Sequence, residues 1–514
     1  MHRHSPSAGA RAASCVALAL LACASPGVAA RAQALPDPQE VPDPGPSGQQ
    51  SPIPGPGDST RPFGTGPSPF QRGFTTNLFS ASRPNLLGSI YGLRTILDGT
   101  GIAFGLQETD ELIGNATGGL HRGADYNGLT TMSVGVDTEK AFGLEGGILN
   151  VSAFQIHGRN YSLDNLATLQ TASGIEAQRS TRLWEAWYQQ GFLAGNLDVK
   201  AGQQSLDQEF IGSSYSGLFI NSAMGWPLLP AVDLYAGGPA FPLSSLGVRA
   251  RFVPARNVTV LAGVFDDNPV GGPFYSDFQL RGRAGSGTAF STGTGALVIG
   301  EVQYAINQPA VGDMDRGDGG AGGLPGAYKL GFWYDTAPFP DQRLDAGGLS
   351  LADAASSGVA RAHRGNYSVY GVMDQMVWRP DPASPRSVGV FARVMGAPGD
   401  RNLADFSLNA GVTLKAPLPG RDNDSVGLGY GLARVGSNAS GYDTDNAALN
   451  GAAPVRSSES FLELTYQYQA APWLLLQPDV QYVYTPGGGI ANPQAPGRRV
   501  GNEAVFGVRT NITF

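Results

Sequence analysis

The chain closes on Ala504-Val505-Phe506-Gly507-Val508-Arg509-Thr510-Asn511-Ile512-Thr513-Phe514. Ala504, Phe506, Val508, Thr510, Ile512 and Phe514 share one face of this run, and Arg509, Asn511 and Thr513 fall on the other. A repeat of two is the period of a β-strand, not of a helix. The same alternation recurs upstream. Leu462, Leu464, Tyr466 and Tyr468 alternate with Glu463, Thr465 and Gln467, and Val426, Leu428, Tyr430 and Leu432 alternate with glycines 427, 429 and 431. Leu408 to Lys415, Val388 to Met395 and Leu246 to Phe252 repeat it. About sixteen such segments follow Gly101. Some of them mix both faces (148–156 and 369–378).

Strands of soluble sandwiches run about five or six residues. Runs here reach ten or more, and the apolar face often ends in tyrosine: Tyr430, Tyr466, Tyr468, Tyr482, Tyr484. An apolar outward band with aromatic girdles and a polar inward face is the pattern of a transmembrane barrel. Residues 101–514 allow about 26 residues per strand and loop. That fits an all-β, antiparallel barrel of about 16 strands, wide enough for an aqueous channel. The terminal aromatic Phe514 suits an outer-membrane barrel and is the expected handle for the barrel-assembly machinery.

Composition agrees. The 514 residues include 73 Gly and only 15% charged residues, where about 25% is usual in soluble proteins. Net charge is −8, so no basic footprint for nucleic acid exists. No later run of 18 apolar residues could form a transmembrane helix.

The first 34 residues read as a secretory signal peptide. Arg3 and Arg11 precede a short apolar stretch, Cys15 to Ala24, and Ala32-Gln33-Ala34 is the cleavage site. Both cysteines, Cys15 and Cys23, lie there, so no thiol chemistry is expected in the mature chain. A lipidated Cys23 is the rival reading. Residues 35–72 form a Pro-rich disordered tether, with 11 prolines between Leu35 and Phe70. Residues 73–100 carry a short helix, with Leu86, Ile90, Leu93 and Leu97 on one face and Gly99 and Gly101 stopping it. The barrel occupies 101–514.

No catalytic constellation is present. His121, His157 and His363 lack metal-ligand spacing, and no nucleophile elbow or phosphate loop occurs. The acidic runs Asp313 to Asp318 and Asp422 to Asp424 lack the twelve-residue calcium pattern. An enzyme is not expected, nor a cofactor or metal. Polar residues aimed into a lumen carry the selectivity of a pore. Arg182, Trp184, Glu185, Trp187, Gln204, Asp207, Glu209, Arg249 and Arg251 are the candidates. The opposite parity of Trp184 and Trp187 predicts that at most one points inward.

Several stretches resemble the OprB family of carbohydrate-selective outer-membrane porins. They are Gly202-Gln203-Gln204-Ser205-Leu206-Asp207-Gln208-Glu209-Phe210, then Gly217 to Asn221, Gly225-Trp226-Pro227, Gly238 to Pro242, and Leu246 to Arg249. Ile299 to Tyr304 and Tyr328 to Asp335 add to it. Leu87 to Ile102 is similar to the family's N-terminal signature, matching at Gly88, Gly92, Leu93, Arg94, Thr95, Leu97, Gly101 and Ile102. Ser89, Ile90 and Tyr91 stand where the signature has Asp, Trp and Gly. The resemblance implies a 16-stranded barrel in the Gram-negative outer membrane, with a short helix near the channel. It also implies diffusion of sugars such as glucose, or of related polyols. The expected constriction comprises Arg94, Glu108, Trp184, Glu209, Asn221, Arg249 and Arg251. Expected partners are small sugars, outer-membrane lipid and, optionally, further copies in a homo-oligomer. The alternatives are a general or anion-preferring porin lined by Arg94, Arg249, Arg251, Arg393 and Arg509, a barrel acting as receptor or scaffold, and a periplasmic β-rich enzyme.

Overall fold

The computed structural model describes residues 84–514, apart from 273, 275–285, 289, 308–322, 383 and 452–453. The signal peptide, Cys23, the tether and Asp313 to Asp318 lie outside the described residues.

The first eight strands are β1 (Ile102–Thr117), β2 (Gly123–Asp137), β3 (Gly147–Gly158), β4 (Ser180–Phe192), β5 (Leu197–Gln204), β6 (Ser245–Ala255), β7 (Val258–Asp266) and β8 (Ala296–Ile306). There follow β9 (Gly326–Asp345), β10 (Ala360–Trp378), β11 (Ser387–Gly396), β12 (Ala404–Lys415), β13 (Ser425–Val435), β14 (Ser458–Ala471) and β15 (Leu474–Tyr484). A small hairpin, β16 (Ala491–Asn492) and β17 (Ala495–Arg499), precedes β18 (Glu503–Thr513). Strands β1 to β15 and β18 close into one antiparallel barrel of sixteen strands. The seam joins β1 to β18 in continuous register from Gln107↔Thr513 to Asn115↔Val505. Closure leaves no unpaired sheet edge, which a strand structure needs within lipid.

The alternation resolves into two surfaces. Outward residues are large and apolar, among them Leu112, Val248, Leu330, Val369, Leu464, Phe506 and Val508. Inward residues are buried and largely polar, among them Glu111, Lys200, Arg249, Glu301, Asp374, Arg393, Glu463, Gln481 and Arg509. The abundance of glycine has a spatial cause on the inner face. A Cβ on Gly431 would fall 2.1 Å from the Phe461 ring, and one on Gly411 would fall 2.6 Å from Phe391. Glycine makes room for an aromatic ring on a neighbouring strand.

The N-terminal helix departs from its periodicity. Only α1 (Leu93–Gly99) is helical, and Leu93 and Ile96 are exposed. Gly88, Ile90, Tyr91 and Gly92 all have positive φ, 56°, 49°, 56° and 90°, so the chain turns sharply where the spacing predicted a first helical turn. Glycine at both ends of Gly88–Gly92 favours that turn over a helix.

Candidate functional site

Two connections fold into the barrel instead of standing clear of it. The first, residues 205–244 between β5 and β6, contains two short helices, Ser222–Gly225 and Leu228–Asp233, and is almost wholly buried. The second, residues 159–179 between β3 and β4, begins with the short helix Tyr161–Asn165. An inward segment needs partners for its irregular backbone, because a buried N–H or C=O left unpaired is costly.

The inner wall supplies them. Glu301 of β8 accepts from the Ile211 amide at 2.8 Å. Asp374 of β10 accepts from Ser214 N at 2.9 Å and from the Ser213 hydroxyl. Glu463 of β14 accepts from Ile220 N and Asn221 N, and Glu459 takes Leu169 N and Gln170 N at 2.7 and 2.8 Å. Arg393 of β11 works with the opposite polarity. Its guanidinium donates to the carbonyls of Ile211, Ala223, Met224 and Gly225. Gln477 and Gln481 of β15 reach Leu218 O and Ala172 O.

Glycines on the same wall seat the segment's side chains. A Cβ on Gly389 would fall 2.3 Å from the Tyr215 ring. One on Gly427 would meet Leu218 and Phe219 at 2.8 Å, and one on Gly429 would meet Met224 at 2.7 Å. Phe219, Ala223, Met224, Phe391, Phe461 and Val483 form one apolar cluster there.

Between the two segments and the wall of β2, β3, β4 and β18 lies a cavity of about 1250 Å³, counting its mouth. One side is aromatic. Trp184 stacks on Phe154 with centroids 4.3 Å apart and planes at 27°, and Phe241 meets Phe154 edge-on at 5.3 Å. Gln170, Asp207, Gln208, Asn221 and Arg509 add polar groups to the lining. Trp184 Nε1 and Gln170 Oε1 are buried and have no hydrogen-bond partner among the described residues. Both residues line the cavity.

The expected constriction residues divide. Trp184 lines the cavity, and so does Asn221, although its side chain is taken up by Gln481 Oε1 at 3.0 Å and by capping Ala223 N at 3.0 Å. Glu209, Arg249 and Arg251 form a separate ionic cluster. Glu209 pairs with Lys200 and Arg249, Arg249 also with Asp198, and Arg251 Nε with Asp198 at 2.6 Å. Burial alone would raise the Glu209 carboxyl, but Lys200 and Arg249 outweigh it and hold it down to about 2. This cluster ties the first inward segment to β5 and β6.

Arg94 and Glu108 correct the expectation. Arg94 sits on α1 and donates to the carbonyls of Phe104 and Phe514. It clamps the helix to the seam and does not line the cavity. Glu108 has the parity of Leu112, which is exposed, while Thr109, Glu111 and Ile113 are buried, so Glu108 faces outward. The two tryptophans correct it again. Glu185 pairs with Ser152 but Leu183 pairs with Ala153, which leaves Trp184 in a β-bulge. A bulge shifts parity by one. Trp187 is on the face of buried Glu185 and Gln189, with Lys200 4.8 Å above its ring, so both tryptophans point inward. Of the remaining candidates, Arg182 donates to Ser180 Oγ and Pro242 O, and Gln204 to Gly247 O, so both brace the wall. Gln208 and Phe241 lie in stretches that carry the family resemblance but were not singled out, and Phe154, Gln170 and the anchoring acids escaped the sequence reading.

The arrangement has close relatives. The family model described as "Carbohydrate-selective porin, OprB family" matches residues 121–514. Porin B of Pseudomonas aeruginosa is 27% identical over 428 residues, covering 80% of this chain and 88% of that protein. A putative porin, QuiX, of Acinetobacter baylyi is 23% identical over 443 residues, covering 81% and 92%. The high-pH structure of Pseudomonas putida OprB superposes with a TM-score of 0.71 at 23% identity, covering 85% of this chain and 100% of that one. Sixteen closed strands, an interior filled in part by two inward segments and a family match over three quarters of its length establish that the chain belongs to the OprB family of carbohydrate-selective porins, as a sugar-selective channel of the Gram-negative outer membrane.

Proposed function

We propose that selection takes place in the cavity beside Trp184 and that the solutes are monosaccharides such as glucose, with related polyols, moving by passive diffusion without a catalytic step. The carrying observation is the pairing of the Trp184–Phe154 stack with the unpartnered Trp184 Nε1 and Gln170 Oε1. A sugar ring has an apolar face that packs on an aromatic surface and a rim of hydroxyls that need both donors and acceptors. Binding must stay weak, in the millimolar range at about −4 kcal/mol, or the solute would block its own passage. An anion-preferring lumen is less well supported. Arg249, Arg251 and Arg509 are paired with Asp198, Glu209 or Glu111, and Arg393 is engaged by backbone carbonyls. Phe514 remains the proposed contact for the barrel-assembly machinery, and a homo-oligomer remains a proposal.

Trp184→Phe keeps the stack and removes the donor. In planar bilayers it should weaken glucose block several-fold at unchanged single-channel conductance, because one hydrogen bond contributes roughly 1 kcal/mol. Unaltered glucose block in this variant and in Trp184→Ala would place the selective step elsewhere.

A further inference from the structure

The outer wall of β1, β2 and β3 carries a polar cluster where its surroundings are apolar. Glu108 and Asp110 lie two residues apart on β1, facing outward between Leu106 and Leu112. His157 of β3 brings its Nε2 to 3.4 Å from Glu108 Oε1 and 4.0 Å from Asp110 Oδ1. The Tyr126 hydroxyl of β2 stands 2.9 Å from the same Nε2 and donates to Asp110. Thr130 donates to the other Glu108 oxygen. Among the described residues, His157 is the one basic side chain in ion-pair reach of either acid.

We propose that Glu108, Asp110 and His157 bind a divalent cation of the zinc type on the outer wall. Their three ligand atoms lie within 4.8 Å of one another. Ligands ~2.0–2.1 Å from a tetrahedral zinc stand ~3.3 Å apart, so the widest pair needs to close by about 1.5 Å. One imidazole nitrogen with two carboxylates is a donor set that zinc accepts, with a water to complete it.

A separate feature of the backbone points the same way. Asp110, Gly128 and His157 are direct partners across the three strands. A Cβ on Gly128 would fall 2.1 Å from His157 Nε2. The imidazole therefore lies across a position that only glycine leaves open, and this aims Nε2 at the two acids. Glu108 Oε1, which faces that nitrogen, is buried and has no hydrogen-bond partner among the described residues. Carboxylates turned toward a bilayer need neutralising, and one imidazole does not balance two of them.

The test uses untagged, detergent-purified barrel titrated with Zn²⁺ by calorimetry, with bound metal counted after desalting. Wild type should take up one saturable equivalent. His157→Ala and Glu108→Gln should each weaken binding on the order of tenfold or more. Gly128→Ala keeps every ligand and obstructs the imidazole's seat, so it should weaken binding too. Heat-modified gel migration confirms that each variant is a folded barrel. Wild-type protein that takes up no saturable zinc, or folded His157→Ala that binds it as tightly as wild type, would overturn the proposal.

Discussion

The two faces of the barrel wall are made by the same strands and obey different rules. On the outer face Leu464 stands among lipid-directed apolar side chains, and its role is area removed from water. On the inner face its neighbour Glu463 accepts hydrogen bonds from two particular amides of the first inward segment. The outer face tolerates exchange among apolar residues of similar size. The inner face depends on geometry, because a charged group buried without its partner is expensive. One residue of displacement along the strand separates a generic requirement from a specific one.

Breaking the inner contacts should therefore cost most. Arg393→Ala removes the donor shared by the carbonyls at 211 and 223–225, of which, among the described residues, only that of Met224 keeps another, the Ser216 hydroxyl. We expect a loss of roughly 3 kcal/mol or more in the anchoring of the inward segment. Single-channel recordings should show raised conductance with reduced glucose block. A variant that conducts and selects like wild type would mean that the segment is held by its apolar cluster alone. The next effect belongs to the sockets. Gly429→Leu would press on Met224 and Phe219, an overpacking cost of about 1–3 kcal/mol. A lowered temperature for loss of the compact gel species would register it. The smallest effect belongs to the outer face. Leu464→Ala should change stability by about 0.5 kcal/mol and leave conductance and glucose block unaltered. Effects of similar size from Leu464→Ala and Gly429→Leu would erase the contrast between the faces.

The barrel was legible because period-two alternation survives in most of the long strands and needs only local sequence. The seam could be expected from the terminal run Ala504 to Phe514, which pairs with β1. What failed was anything that depends on counting parity through an irregularity. Trp184 and Trp187 both face inward because one extra residue is accommodated in β4. Glu108, counted among the opposed charges of the constriction, shares the parity of exposed Leu112 and points outward. The short helix failed differently, since the spacing of Leu86, Ile90, Leu93 and Leu97 is helical while Gly88 and Gly92 permit the positive φ values that break it. The cavity could not be read at all. Phe154 and Trp184 stack from adjacent strands, but the cavity they line exists only because residues 159–179 and 205–244 turn inward, and neither segment has a period to announce it.

The carboxylates of Glu301, Asp374, Glu459 and Glu463 grip the inward segments by their peptide N–H groups. Every amino acid except proline offers that group. The wall is consequently blind to most of what the segments spell. Side chains that meet the solute can drift, or be exchanged by design, without retuning the residues that hold them. A family of channels for different solutes could diverge on such a chassis by rewriting two loops and leaving sixteen strands alone.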